Sequence, residues 1–225
     1  MVRKNFDSQL SELHDELVIM GELCEKAIAT AIAPLAKRNE DTKNIKLSDF
    51  EINEKEREIE QLCMRLLMQQ QPVARDLREI SSALKMISDM ERIGDQACDI
   101  ADIAVHIIDK APEPEEANLR KMAKEAAKMV NDSVDSFVAR DVELARKVIE
   151  YDDVVDKWFY EVKNELIHKI AADSLNGEYY VDLLMIAKYL ERVGDHATNI
   201  AEWVEYSLTG KHRKNKHQTF SGGYL

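Results

Sequence analysis

The chain holds 225 residues, 45% apolar and 33% charged, a soluble globular balance; scarce glycine (7) and proline (4) beside abundant Ala, Glu, Lys, Leu and Ile point to an all-α protein. The net charge of -12 becomes -16 for residues 1–210 once the four basic and no acidic side chains of residues 211–225 are set aside. Such a body repels nucleic acid and anionic membrane and attracts cations. No apolar run approaches the ~20 residues that span a bilayer, and the N-terminal MVRKNFDSQL lacks the apolar core of a signal peptide. The expectation is a cytoplasmic chain without a membrane segment of its own.

Six helical segments follow in order. The first runs from about Phe6 to Arg38, with Pro34 expected to kink it or end it early. The second runs from about Ser48 to Gln70. The third opens at QQQPVARDL, where Pro72 suits a first turn, and reaches about Asp109. APEPEE then reads as a linker, with two prolines, three acids and nothing to bury. The fourth segment spans about Ala117–Ala139, the fifth about Val142–Ala172 and the sixth about Glu178–Leu208, stopped by Gly210. The organisation is a first three-helix bundle over 1–111, a linker over 112–116, a second three-helix bundle over 117–210 and a basic, disordered tail over 211–225. Cys24, Cys63 and Cys98 are widely spaced and form no CxxC, so they read as reduced, structural thiols.

The two halves repeat. ERIGD at Glu91–Asp95 returns as ERVGD at Glu191–Asp195, an offset of 100, and offsets of 102–103 pair PLAKRN with SFVARD and Asp49-x-x-x-Asn53 with Asp152-x-x-x-Asp156. This is an internal duplication of a three-helix unit. At 100° per residue, Val73, Leu77, Ile80, Leu84 and Ile87 form an apolar stripe that continues as Glu91, Asp95, Cys98 and Asp102. Opposite it runs a second stripe of Met86, Met90, Ile93, Ala97, Ile100, Ala104 and Ile107. The sixth segment repeats the switch: Tyr180, Leu184 and Ala187 lead to Glu191, Asp195, Thr198 and Glu202, across from Ile186, Leu190, Val193, Ala197, Ile200 and Val204.

The four-residue spacing puts both carboxylates of each pentapeptide on one face, a like-charge pair costing ~0.2–0.5 kcal/mol. The intervening glycine costs roughly 0.5–1 kcal/mol relative to alanine, and its bare backbone suits close approach by another helix. Two readings remain open. The acids form a solvated face inherited by two packing units, or they share a cation. Carboxylates are hard oxygen donors that suit iron, manganese, magnesium or calcium, and also zinc.

LLMQQQPVARDLREI, SDMERIGDQACDIADI and YLERVGDHATNIAEWVEYSLTG together closely resemble the PhoU family, regulators of phosphate uptake and phosphate-starvation signalling. The resemblance implies two three-helix bundles related by a pseudo-two-fold axis and a non-enzymatic adaptor. Such an adaptor couples a phosphate ABC transporter and its ATPase to a sensor histidine kinase, inhibiting signalling when phosphate is ample. It also implies a homodimer and a multinuclear cluster of iron or zinc on E/D-x-x-x-D motifs. Here those motifs are Glu91 with Asp95 and Glu191 with Asp195, with partner acids Asp49 in the first bundle and Asp152 and Asp156 in the second. Asp99, Asp102, Glu202 and Asn199 are secondary candidates. Asn53 stands where the second bundle has Asp156, and Asp99 where it has Asn199, so the two sites are expected to differ.

The rivals are a di-iron carboxylate protein with a redox or storage role and a purely structural scaffold. A di-iron bundle needs two Glu-x-x-His motifs, and only Glu165 to His168 is present. His196 is expected to point outward, its alternative being a nitrogen ligand beside Asp195. Trp158 and Trp203 read as packing residues of the second bundle; Met20, Met64, Met68, Met86, Met90 and Met185 read as core filler. Phosphate has no evident protein pocket, and a bound metal would be its receptor.

Overall fold

Long stretches poor in glycine and proline become six α-helices in the computed structural model, which describes residues 2–36, 48–69, 73–108 and 117–212. They are α1 (Val2–Ala36), α2 (Phe50–Gln69), α3 (Ala74–Ile107), α4 (Ala117–Val138), α5 (Val142–Ala172) and α6 (Gly177–Thr209), with a 3-10 turn at Ser174–Asn176 before α6. No strand occurs among the described residues. Linker 112–116, Pro72 and tail residues 213–225 lie outside them.

Local chemistry explains the ends. At the start of α3 the Asp76 carboxylate accepts from the Val73 backbone N–H at 3.3 Å. Asp141 caps α5, accepting from the N–H groups of Glu143 and Leu144 at 2.9 and 3.0 Å. Gly210, at φ 72°, adopts the left-handed conformation that closes α6. Contrary to expectation, α1 runs on through Pro34. Burial of Ile28, Ala31 and Leu35 on either side holds this turn helical against the ~3 kcal/mol that an interior proline costs.

Helices α1, α2 and α3 pack on one another, as do α4, α5 and α6; the halves meet where α1 touches α4 and α3 touches α6. These are the pairs that the sequence repeat makes equivalent, as a pseudo-two-fold relation requires. Helices α3 and α6 cross antiparallel: Arg78 lies against Gly210, Asp89 against His196 and His106 against Glu178 and Asp182. The apolar cores merge into one cluster.

The second stripe of α3 and that of α6 are wholly buried. The first stripe of α3 is not uniform: Ile80 and Ile87 are buried, but Val73 and Leu77 are 58% and 48% exposed. At this end burial falls on Asp76 and Glu79 instead, which turns the Leu77 side outward. Met20, Met86 and Met90 fill the core as expected, whereas Met64, Met68 and Met185 are exposed, each on the outward face of its helix, in line with the exposed residues 57, 60 and 61 on α2 and 181, 188 and 192 on α6.

A buried ion cluster joins the halves. The Glu79 carboxylate on α3 contacts His14 Nε2 of α1 at 2.9 Å and accepts from Arg140 Nη1 at 2.8 Å. Arg140 belongs to the tight α4–α5 turn and sits at φ 55°. His14 also packs edge-on against Phe137 of α4, ring centres 5.5 Å apart. Burial pushes the Glu79 carboxyl upward, but His14 and Arg140 outweigh it and hold the group below the usual carboxylate range.

A group with a depressed folded pKa contributes stability that is present above its unfolded pKa and lost as pH falls through the folded one. Glu79→Gln is therefore expected to destabilise by about 1.5–3 kcal/mol at neutral pH, the scale of a hydrogen bond to a charged group. The loss should shrink as pH falls through Glu79's depressed pKa, where the glutamate itself becomes protonated. Urea midpoints measured across pH 3–7 check both.

Candidate metal centre

Each pentapeptide glycine marks where the preceding helix comes closest. A Cβ on Gly94 would lie 2.9 Å from Ile52 Cδ1 and 3.3 Å from its Cγ2, both on α2. A Cβ on Gly194 would lie 3.3 Å from Val155 Cγ1 and 3.5 Å from Asp152 Oδ1, both on α5. The two motifs thus occupy equivalent places, and in each the acids sit at the lip of a close helix contact.

In the first bundle Glu91 and Asp95 are half-buried one turn apart. Burial raises the Glu91 pKa, then Asp95 and Asp49 raise it further against Arg92 and His196. Asp49, just ahead of α2, is held by Asn53, whose Nδ2 donates to its carboxylate at 2.6 Å. Arg92 bridges the pair, with Nη1 3.2 Å from Asp95 and Nε 3.5 Å from Glu91. Its guanidinium is 61% exposed, and an ion pair of that kind is worth ~0–1 kcal/mol. One further group, Glu56, escaped the sequence reading, which places Cys98 on the acidic stripe without a role there. Glu56 of α2 is raised by burial and then by Glu91; it lies seven residues after Asp49, two turns along the same face. The Cys98 thiol is pushed up to about 11 by burial and by Asp49, Asp102 and Asp95.

In the second bundle Asp152 is buried and Asp156 and Glu191 are half-buried. Asp195 is raised by burial first, then by Glu191 and Asp156, with Lys188 and His196 opposing. Lys188 Nζ donates to Glu191. Of the secondary candidates, Asp99, Asp102 and Asn199 are exposed and Glu202 is half-buried. Asn199 turns to the other bundle, its Nδ2 donating to Asp89 Oδ1 at 3.1 Å. His196 does the same: it is half-buried, with Nδ1 2.9 Å from Asp89 Oδ1. The expected outward histidine is corrected by the antiparallel crossing, which turns that side of α6 onto α3. Glu165 accepts from Asn118 and Lys169 at 2.8 and 3.0 Å and His168 Nδ1 lies 2.7 Å from the Asn164 carbonyl, so this Glu-x-x-His is occupied with surface contacts.

The donor set suits a hard cation: oxygen ligands from two helices, with Glu91 and Asp195 carrying negative charge against the preference of their surroundings. Among the described residues, the group of three potential ligand side chains whose ligand atoms all lie within 4.8 Å of one another is His106, Glu178 and Asp182, outside both pentapeptides.

The PhoU domain family model matches the chain twice, over residues 17–104 and 119–204. The chain belongs to the PhoU family. The PhoU match reproduces the drift in the repeat, since its starts differ by 102 residues and its ends by 100. A Clostridium acetobutylicum protein named phosphate-specific transport system accessory protein PhoU homolog is 36% identical over 94% of this chain and 97% of its own length. The crystal structure of PhoU from Pseudomonas aeruginosa matches with a TM-score of 0.84 at 33% identity, covering 92% of this chain and all of that one. The Streptococcus pneumoniae phosphate transport system regulatory protein PhoU matches with a TM-score of 0.83 at 28% identity over 93% of this chain and 100% of that one.

Gly94→Ala should destabilise by about 0.5–2 kcal/mol, overpacking against Ile52 exceeding the ~0.5–1 kcal/mol gained in helix propensity. Gly194→Ala, facing a looser contact, should be close to neutral. Ile52→Val should relieve Gly94→Ala, and a double-mutant cycle by urea unfolding reads the coupling. For the acids, chelated protein carrying Glu91→Gln and Glu191→Gln should gain a few tenths of a kcal/mol, the scale of the helical like-charge pair. If the sites hold a cation, unsubstituted protein gains ~2.7 kcal/mol at free ion about 100 times the dissociation constant, and the substitutions remove much of that. Melting with chelator and with iron, manganese or zinc separates the signs. The second bundle should lose more, because it offers Asp152 and Asp156 where the first has Asp49 and neutral Asn53.

Proposed function

We propose that this chain regulates phosphate uptake and phosphate-starvation signalling as a cytoplasmic adaptor. The observation that carries the proposal is the double PhoU-domain match together with near full-length similarity to proteins named as phosphate-specific transport accessories. In this reading the chain couples the ATPase of a phosphate ABC transporter to a sensor histidine kinase and restrains the kinase when phosphate is ample. It acts without catalysing a reaction, as a homodimer.

Two features support an adaptor. No described helix is long and apolar enough to cross a membrane. Carboxylates that range from buried Asp152 to exposed Asp195 supply in each bundle a surface whose charge a cation would switch. Glu91, Asp95 and Asp49 in the first bundle, and Glu191, Asp195, Asp152 and Asp156 in the second, are the residues that would hold iron or zinc. When bound, such a cation supplies positive charge and a receptor for phosphate oxygens. These side chains then set how much of the acidic face remains negative.

Deleting the gene should leave phosphate-starvation genes switched on in ample phosphate, measured by transcript level or alkaline phosphatase. Repression like that of the parent strain, with no second copy of the gene present, would refute the proposal.

A further inference from the structure

At one end of the α3–α6 crossing, a mixed donor set comes together that neither pentapeptide includes. His106 lies in the last turn of α3, and Glu178 and Asp182 lie one turn apart at the start of α6. Their ligand atoms are all within 4.8 Å of one another. Two oxygens and one imidazole nitrogen suit a borderline divalent ion of the zinc class, with an open position for water. A tetrahedral ion at the usual zinc–ligand distance holds its ligand atoms about 3.3–3.5 Å apart. His106 and Glu178 are exposed and Asp182 half-exposed, so rotamer changes can close the remaining gap.

The internal repeat gives an independent reason to look for a cation here. An offset of 100 relates His106, Glu178 and Asp182 to Tyr206, Arg78 and Ser82. At that equivalent end the protein supplies its own positive charge: the Arg78 guanidinium carbon lies 3.7 Å from where a Cβ on Gly210 would be, at the C-terminus of α6. A helix C-terminus carries partial negative charge and favours a cation. At the α3 C-terminus the arginine is replaced by Glu178, the serine by Asp182 and the tyrosine by a metal-ligating imidazole. Glu178 and Asp182 thus stand in the repeat where the other end carries Arg78 and Ser82.

We propose that His106, Glu178 and Asp182 form a divalent-cation site of the zinc class that clips the end of α3 to the start of α6, and so one bundle to the other. The site is separate from the pentapeptide carboxylates and does not depend on them.

The test uses full-length, chelator-treated protein carrying Glu91→Gln, Asp95→Asn, Glu191→Gln and Asp195→Asn, with zinc ion as the probe. Calorimetric titration should show one zinc per chain, and the nitrogen resonances of the His106 imidazole should shift on zinc addition. His106→Gln or Asp182→Asn should each weaken binding at least about tenfold, the scale of losses seen even for outer-shell residues. Unmoved His106 resonances at saturating zinc, or unchanged affinity in His106→Gln, would overturn the proposal. The same imidazole readout on the unsubstituted protein decides the matter if the fourfold variant does not fold. Neither outcome bears on the pentapeptide acids, which the variant lacks.

Discussion

Two helices in this fold are each shared by three neighbours, and much else follows. Helix α3 packs against α1, α2 and α6, and α6 against α4, α5 and α3. A helix enclosed on three sides has little of its circumference left, and the remaining strip on each carries the acids. Enclosure also demands that one neighbour come very near, so a glycine stands where α2 presses on α3 and another where α5 presses on α6. The acid pair and the glycine are two consequences of one packing problem, solved the same way in both halves.

Much of this was legible in the sequence because it is periodic. The stripe from Met86 to Ile107 has a helical period, and every member is buried. The repeat of ERxGD announced equivalent positions, and Gly94 and Gly194 occupy them. What escaped was set by distant partners. Glu79 meets His14 and Arg140 across 65 and 61 residues of sequence, and His196 meets Asp89 across 107. No local pattern encodes such pairings. Val73 and Leu77 mark a second failure, since the helical face was right but its cover ends before them, and Met64, Met68 and Met185 a third, since they lie on outward faces.

The acids are the place where two readings stood side by side, and the reason is energetic. A like-charge pair on a helix costs only ~0.2–0.5 kcal/mol, small enough for an exposed arginine to offset. Arg92 lies across Glu91 and Asp95 in that way. A cost of that size leaves the acid pair compatible with both readings. Burial first and the neighbouring acids second hold Glu91 and Asp195 above the usual carboxylate range.

The pairing of Asp89 with His196 bears on what fusing two copies into one chain permits. In a symmetric dimer of identical halves, a residue on the crossing appears twice, so an acid facing a histidine on one side must be matched by the same pair on the other. Here the equivalent of Asp89 is Tyr189 and that of His196 is Gln96. Covalent linkage frees the two ends of the crossing to diverge, one stacking His212 on Tyr206 with ring centres 3.9 Å apart, the other gathering a histidine and two acids. A tandem repeat thereby acquires a polarity that no pair of identical subunits could possess, and with it two distinguishable ends for partners to tell apart.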